Sequence, residues 1–349
     1  MDECVFYKGK AMYVLYTDDS ILAGPDQKEL DDIIEQIRKA KLNITVEGDL
    51  QDFLGVNIER QKDGSIHMTQ PHLIDQIVKE LGLTKDTVKI KETPASCSKI
   101  LRRHDDSPDF DNSFNYRSVI GKLNYLERGS RPDIAYITHQ CARFTQFPKK
   151  EHGEAVRWLG RYLKGTRDKG LILQPQKEED LQVFVDADFV GNWHKEDAMY
   201  RDTARSRHGF VIMYAGCPLS WKSSMQGEIS MSSCESEYIG LSYALRDTIP
   251  IMEILKEMKQ LRFPIKSATA AVHCRVFEDN SGVLEMTRNH KFRPRTQHLC
   301  CKMHHFRDYV TRKEISVHPI DMTEQLADCL TKPLNEELVV KHRFRMQGW

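Results

Sequence analysis

The sequence lacks a hydrophobic run long enough to cross a membrane. Of its 349 residues 40% are hydrophobic, yet no run approaches the ~20 apolar residues that a membrane-spanning helix needs. The first residues, MDECVFYKGK, contain no apolar stretch after a basic one and so lack the pattern of a secretory signal. These absences predict a soluble globular protein of two or three domains without a membrane partner, in the cytoplasm or the nucleus.

Paired cysteine motifs and a net charge of either sign are also missing. The nine cysteines form no CxxC pair, so we expect reduced thiols rather than a zinc site. Lys plus Arg equals Asp plus Glu at 51 each, which by itself predicts no polyanionic partner. Residues 287–313, however, hold eight Lys or Arg and one acid, Asp308. This segment fits a phosphate-facing surface, and a solvated basic face explains it nearly as well.

Hydrophobic spacing predicts the order of elements in the first half. Alternation over residues 13–23 indicates a hairpin, and a second hairpin turns at Asp63 and Gly64. A helix opened by Pro71 and stopped by Gly82 follows. Residues 91–108 have no sustained period and are interpreted as a linker. An α-helical block of about 55 residues, ending near residue 166, comes next.

The second half predicts a separate α/β unit that starts at Gly170. Three strands in a row are indicated by GLILQP, LQVFVDADFV and RHGFVIMYAGCPLSWKS. A long helix follows, which Pro250 should kink or divide. A strand ending at Asp279, a last strand in EISVHPID and a final helix in TEQLADCLTKPL complete the unit. Strands followed by helix, strand and helix predict a mixed sheet flanked by helices.

Four acids in this unit stand where catalysis needs them. Asp186 ends an apolar strand, Glu237 lies at a helix start, Asp279 ends another strand, and Asp328 lies in the last predicted helix. Carboxylates projected from separate elements gather at one edge of a sheet and need a counter-charge. Two Mg²⁺ ions about 4 Å apart, with Mn²⁺ as the alternative, would neutralise them and support hydrolysis of a phosphodiester.

The wording around these acids resembles a known family. FVDADFVGNW, SSCESEYIGLSYA, EDNSGVLEM and ADCLTKPL closely resemble the ribonuclease H domain of copia-type LTR retrotransposon polyproteins. Residues 114–166 are similar to the stretch that joins polymerase and ribonuclease H in that family. FLGVNIERQKDGSIHMTQPHLIDQIVKELGL is similar to its primer-gripping hairpin and first thumb helix. YTDD fits the YxDD polymerase motif. The resemblance covers nearly the whole chain in the family's order.

The resemblance assigns the metal site residue by residue. Its catalytic and metal-binding acids correspond to Asp186, Glu237, Asp279 and Asp328. Asp188 and Glu235 are nearby alternatives. We prefer Asp186 because it follows the apolar strand directly. We prefer Glu237 because it immediately precedes Tyr-Ile, as the corresponding acid of the family does. A histidine that assists product release in the family corresponds to His298 or His305. The alternative explanation for either position is a histidine on a helix face that makes a single hydrogen bond.

The polymerase motif implies a different outcome. Asp18 and Asp19 correspond to the metal-binding pair of the polymerase palm. A palm also needs a third carboxylate and fingers, which the 17 residues before Asp18 do not supply. We therefore expect no DNA polymerase activity from this chain alone. Smaller departures from the family are SRHGF in place of STSGY, Cys300 in place of a common Asp, and Pro250 within a helix.

The resemblance thus implies an α/β (α+β) chain with three parts. Residues 1–90 would hold truncated palm hairpins and the start of the thumb, 91–169 a helical thumb and connection, and 170–349 a ribonuclease H-like mixed sheet. The implied function is hydrolysis of the RNA strand of RNA:DNA hybrids, in a cytoplasmic virus-like particle or the nucleus. Partners would be the hybrid and the rest of the polyprotein or a second copy. The expected hybrid contacts are Arg288, Lys291, Arg293, Arg295 and Lys302.

Two rival hypotheses explain the same residues. The chain could be an inactive, truncated or domesticated remnant that binds nucleic acid without cleaving it. It could also be a reverse transcriptase that is active only with an N-terminal segment supplied by a longer precursor.

Overall fold

The computed structural model describes residues 3–97, 100–103, 107–176, 180–263, 265, 272–288 and 300–349. Three sheets lie in this part of the chain, and helices connect and cover them. The predicted α/β class is therefore confirmed. Among the described residues, no helix combines the length and the apolarity that crossing a bilayer requires.

The first sheet is a three-stranded antiparallel meander. Its strands are β1 (Val5–Lys8), β2 (Ala11–Tyr16) and β3 (Asp19–Ala23). Tyr16 lies opposite Asp19, so Thr17 and Asp18 form a two-residue turn. Thr17 adopts a φ of 49°, in the left-handed region that such tight turns use. The predicted first hairpin is confirmed, and α1 (Gln27–Lys39) follows it.

The second sheet joins segments that are far apart in the sequence. Its strands are β4 (Asp52–Phe53), β5 (Val56–Arg60), β6 (Ile66–Thr69) and β7 (Leu171–Leu173). The predicted hairpin of β5 and β6 is confirmed. The prediction that GLILQP joins the later mixed sheet is wrong, because Leu171 pairs with Met68 on β6. A Cβ at Gly170 would overlap the carbonyl oxygen of Met68, so this glycine permits the close approach.

Four helices form the block between the second and third sheets. They are α2 (Pro71–Glu80), α3 (Tyr116–Ser130), α4 (Ala135–Ala142) and α5 (Lys150–Gly165). Ile74, Leu123 and Leu159 are fully buried in their common core. The described part of residues 91–108 has no helix or strand, as predicted. Ala95 and Leu101 are nevertheless buried in the same core, so this segment is packed against the helices.

The third sheet is mixed. Its strands are β8 (Leu181–Asp188), β9 (Arg207–Tyr214), β10 (Cys217–Met225), β11 (Cys274–Glu278) and β12 (Ile315–Pro319). They lie in the order β10-β9-β8-β11-β12. β8, β9 and β10 are antiparallel neighbours, whereas β11 is parallel to both β8 and β12. The predicted mixed sheet is confirmed.

Helices cover both faces of this sheet. On one face, α6 (Ser233–Gln260) packs against Val183, Val185 and Val276, together with α7 (Ser281–Arg288) and α8 (Cys300–Thr311). The opposite face carries Phe184 and Val211, and it is covered by α9 (Asp328–Thr331) and α10 (Glu336–Gln347). Ala135 of α4 joins this second core, so the helical block and the mixed sheet share buried contacts.

Two features of the predicted helices differ in the structure. Of the two outcomes predicted for Pro250, division of the helix is wrong, because α6 runs for 28 residues with the proline inside. The carbonyl that loses its partner belongs to Arg246, and both residues are exposed, so water can satisfy it. The segment TEQLADCLTKPL is also not the final helix. Its one α-helix is the short α9, and α10 follows after Asn335, which caps the new helix.

Candidate active site

Three carboxylates meet at one edge of the mixed sheet. Asp186 lies near the end of β8, Glu237 lies near the start of α6, and Asp279 follows β11 directly. One carboxylate oxygen of each lies within 4.8 Å of the others. β8 and β11 are parallel neighbours, with Phe184 opposite Phe277. Their carboxyl ends therefore reach the same edge, two residues beyond this pair.

The helix cap places the third carboxylate. The Ser232 hydroxyl accepts a hydrogen bond from the Glu235 amide at 3.1 Å and so begins α6. The Glu235 carboxylate accepts a bond from the Met231 amide at 2.9 Å, which makes it part of the same turn. Glu237 extends from the next turn and is 7% exposed. The geometry therefore favours Glu237 over Glu235 as the member of the cluster.

Asp328 lies beside the cluster but outside the group of three. It is buried at the start of α9, and its Oδ1 is 2.9 Å from the Lys332 ammonium. In the same short helix, the Thr331 hydroxyl donates a hydrogen bond to Asp186 Oδ2. α9 therefore places the Asp328 carboxylate near the site and orients the Asp186 carboxylate.

A glycine allows α9 to approach this closely. Gly209 on β9 lies opposite Asp186 on β8. A Cβ at this position would lie 2.6 Å from Leu330 Cβ and 2.9 Å from Thr331 Cγ2. Any side chain would therefore push α9 away from the carboxylates.

The site holds more negative charge than nearby cations compensate. Burial, and then Asp186, raise the pKa of Asp279. The same two causes raise the pKa of Asp328 to about 7, although Lys332 opposes the shift. Burial also raises the pKa of Glu237 well above its usual range, with Asp186 and Glu278 adding to the effect. A bound cation would relieve this repulsion.

The residues fit a hard divalent cation. Their ligand atoms are carboxylate oxygens, which Mg²⁺ and Mn²⁺ prefer. Glu237 Oε2 is buried and has no hydrogen-bond partner among the described residues. Burying such an oxygen without a partner is costly, and a metal ion would supply one. Within the described chain, only Asp186, Glu237 and Asp279 form a group of three potential metal ligands.

A fifth acid, Glu278, escaped the sequence analysis. It is fully buried and accepts a hydrogen bond from the Asn280 amide at 3.1 Å. Burial raises its pKa well above the usual range. Strand alternation contained the signal, because Glu278 falls on the same face of β11 as the buried residues Cys274 and Val276. Asp188, which the sequence offered as the alternative to Asp186, is half-buried, and its carboxylate lies over Gly191.

The remaining predicted residues lie elsewhere. Asp18 and Asp19 are exposed at the hairpin turn of the first sheet. His305 lies on α8 and is largely exposed. The part of its ring that is shielded from water lowers its pKa. Lys302, also on α8, pairs with Glu228 at 2.7 Å, while Arg288 ends α7. Four predicted residues lie outside the described residues: Lys291, Arg293, Arg295 and His298.

Comparison with solved structures finds ribonucleases H. The N-terminal ribonuclease H domain of a Mycobacterium tuberculosis protein matches with a TM-score of 0.31 and 15% identity, covering 47% of this chain and 96% of that domain. LC11-RNase H1, isolated from compost, matches with a TM-score of 0.32 and 18% identity, covering 47% of this chain and 97% of that one.

Sequence comparison extends over the whole chain. Residues 3–95 match the family model for reverse transcriptase (RNA-dependent DNA polymerase). The Pol polyprotein of transposon RE1 from Arabidopsis thaliana is 28% identical over 335 residues, which are 95% of this chain and 21% of that polyprotein. That of transposon TNT 1-94 from Nicotiana tabacum is 26% identical over 356 residues, covering 99% of this chain and 25% of the relative. The chain thus spans a quarter or less of the length of these two relatives.

A shorter relative matches over most of its own length. A Ty5-1 transposon protein of Saccharomyces cerevisiae is 31% identical over 235 residues, which are 67% of this chain and 72% of that protein. Together with the polyprotein matches, this shows that the chain belongs to the copia-type LTR retrotransposon polyproteins.

Proposed function

We propose that the chain is a ribonuclease H that cleaves the RNA strand of RNA:DNA hybrids. The observation that carries this proposal is the meeting of Asp186, Glu237 and Asp279 within 4.8 Å at the edge of a mixed sheet. Membership of a retrotransposon polyprotein family supports the choice of substrate, because such elements copy RNA into DNA. The proposed domain limits are residues 1–90, 91–169 and 170–349, with β7 at the start of the last part paired to β6 of the first.

The carboxylates would hold two divalent cations, Mg²⁺ or Mn²⁺. When bound, such ions activate a water and stabilise the leaving oxygen of a phosphodiester. Asp186, Glu237 and Asp279 would supply ligand oxygens, and Asp328 would complete the site. Thr331 would orient the Asp186 carboxylate through its hydrogen bond. Lys332 would hold Asp328 in place and limit the repulsion before the cations bind.

Hybrid recognition would rely on the nucleic-acid backbone. Proteins recognise such duplexes by shape, phosphates and 2′-hydroxyls more than by sequence. Arg288 and Lys302 are the described members of the proposed contact set, and they lie on α7 and α8, next to α6. The rest of the polyprotein or a second copy would be the protein partners, in a cytoplasmic particle or the nucleus. Asp18 and Asp19 would belong to a polymerase site of the longer polyprotein.

The test is release of labelled RNA from an RNA:DNA hybrid with Mg²⁺. We expect cleavage by the purified chain and a loss of at least about a hundredfold in Asp279→Asn, since one metal ligand becomes neutral. Asp86→Asn, at an exposed loop residue, is the matched control and should cleave normally. A DNA duplex of the same sequence should stay intact. No cleavage, or equal cleavage by Asp279→Asn, would refute the proposal; binding without cleavage would favour an inactive remnant.

A further inference from the structure

A basic cleft lies between the helical block and the mixed sheet, apart from the carboxylates. Its volume is about 630 Å³, and its walls come from α3, α4, β9 and β10. Four of its lining side chains are cationic: Arg128, Arg143, Arg207 and Lys222. The single acid of the lining is Glu127. The cleft therefore carries an excess of positive charge.

Arg207 is buried and makes no salt bridge with a described acid, although Asp188 on the neighbouring strand interacts with its charge at longer range. It is 2% exposed, and its Nη1 donates to the neutral Ser223 hydroxyl at 2.9 Å. Its guanidinium lies 5.5 Å from the centre of the Tyr136 ring. Nε and Nη2 have no hydrogen-bond partner in the described part of the chain. Burial lowers the pKa of Arg207 to about 10, so the side chain stays charged at neutral pH.

The other cations of the cleft are only partly neutralised. Arg143 pairs with Asp202 at 3.1 Å, and the Lys222 ammonium is 3.7 Å from Asp247. Arg128 is exposed at the end of α3, and no ion pair is found for it among the described residues. A buried guanidinium without a salt bridge destabilises the folded state. An anion that enters the cleft would recover part of that cost.

The cleft is close to the carboxylate cluster. Arg207 lies opposite Asp188 on β8, and Gly209, two residues further on β9, lies opposite Asp186. Two residues of a strand span about 7 Å, and alternate residues face the same side of the sheet. Arg207 therefore belongs to the sheet face that also carries Asp186. It also falls in SRHGF, where the chain departs from the family's STSGY pattern.

We propose that this cleft is a phosphate-binding site with Arg207 as its buried donor. A guanidinium offers two parallel N–H groups that match two oxygens of a phosphate. Arg128 and Lys222 add charge at the rim. The phosphate comes either from the backbone of a nucleic-acid strand near the carboxylates or from a free anion such as pyrophosphate.

The test measures binding by the full chain in EDTA, so that cleavage plays no part. We titrate inorganic pyrophosphate by calorimetry, and a labelled RNA:DNA hybrid by fluorescence anisotropy, at matched ionic strength. The variants are Arg207→Gln and the double variant Arg128→Gln/Lys222→Gln. Arg117→Gln is the matched control, because Arg117 is exposed on the same helix as Arg128 but outside the cleft. Circular dichroism verifies the fold of each variant.

We expect Arg207→Gln to weaken binding about tenfold or more, and the double variant to weaken it about threefold, while Arg117→Gln binds normally. If hybrid binding weakens, and the slope of log affinity against log salt concentration falls by about one, the bound phosphate belongs to a strand of the hybrid. Weaker pyrophosphate binding with unchanged hybrid binding identifies a free anion. Unchanged binding of both probes in the folded variants overturns the proposal. If Arg207→Gln does not fold, the double variant decides alone. Because no metal is present, a failure of hybrid cleavage leaves this result unaffected.

Discussion

At the residue scale, the candidate site depends on side chains that touch the acids as much as on the acids themselves. Thr331 donates a hydrogen bond to Asp186, and Lys332 pairs with Asp328. The sequence analysis predicted a role for neither side chain, because a single threonine and a single lysine near the end of a motif form no recognisable spacing pattern. Both side chains reach the acids only because α9 packs against β9.

Thr331→Val tests the orienting hydrogen bond. The change removes the hydroxyl and keeps the shape, so Asp186 loses its fixed orientation. We expect metal affinity or cleavage to fall about tenfold, which is typical of partners that orient metal ligands. Isothermal titration with Mn²⁺ and hybrid cleavage measure the two effects. Thr331→Ser should restore both, and equal values for the Val and Ser variants would contradict the role.

The raised pKa of Asp328 predicts a pH dependence of stability. Its pKa is about 7 in the fold against 3.8 in its usual environment. Between these values the folded state holds the extra proton, so the metal-free protein loses stability as the pH rises. Thermal unfolding in EDTA should show this fall, and Asp328→Asn should reduce it. Part of the slope should persist, because the pKa values of Glu237 and Asp279 are raised in the same direction. A slope unchanged by the substitution would refute the assignment.

At the element scale, the contact between α9 and β9 decides whether the site forms. Gly209→Ala would place a Cβ 2.6 Å from Leu330 Cβ, and neither atom can move without shifting an element. We expect a loss of about 1–3 kcal/mol in the free energy of unfolding and weaker metal binding. Chemical denaturation measures the first effect.

Gly121→Ala is the matched control for this glycine. Gly121 is exposed on α3, and a Cβ there would meet nothing within 4 Å. Alanine favours a helix by up to about 1 kcal/mol over glycine, so this variant should be slightly more stable. A Gly209→Ala protein as stable as the Gly121→Ala protein would show that α9 can adjust.

At the scale of the whole molecule, one buried network joins the helical block to the end of the chain. Arg131, at the end of α3, makes a two-fold contact with Asp133 at 2.9 and 2.8 Å. Tyr162 of α5 donates to the same carboxylate at 2.6 Å, and Gln347 of α10 donates at 3.1 Å. Burial alone would raise the pKa of Asp133, but Arg131 outweighs it and lowers the pKa. The Arg131–Asp133 pair therefore stays charged and holds three helices together.

Asp133→Asn tests this connection. The substitution keeps the shape but leaves the Arg131 charge buried without its partner. We expect the free energy of unfolding to fall by about 3–5 kcal/mol in urea denaturation. Asp86→Asn, at an exposed position, should change it by less than about 0.5 kcal/mol. A fall no larger than in that control would show that the network contributes little.

Local sequence signals were enough to predict most of the order of helices and strands, the two hairpins and four of the five acids at the candidate site. Those features depend on local signals: the spacing of apolar residues, Pro71 and Gly82 at the two ends of a helix, and acids placed directly after strands. Three of the four predicted acids meet, and Asp328 lies beside them.

The remaining features depend on contacts between distant parts of the chain. β7 pairs with β6 across about a hundred residues, because Gly170 admits the carbonyl of Met68. Glu278 becomes a buried acid beside the cluster only when α6 covers its strand, and Arg207 lines a cleft only because α3 and α4 pack beside β9 and β10. In each case the environment of a residue is made by segments far away in the chain, and local spacing carries no information about them.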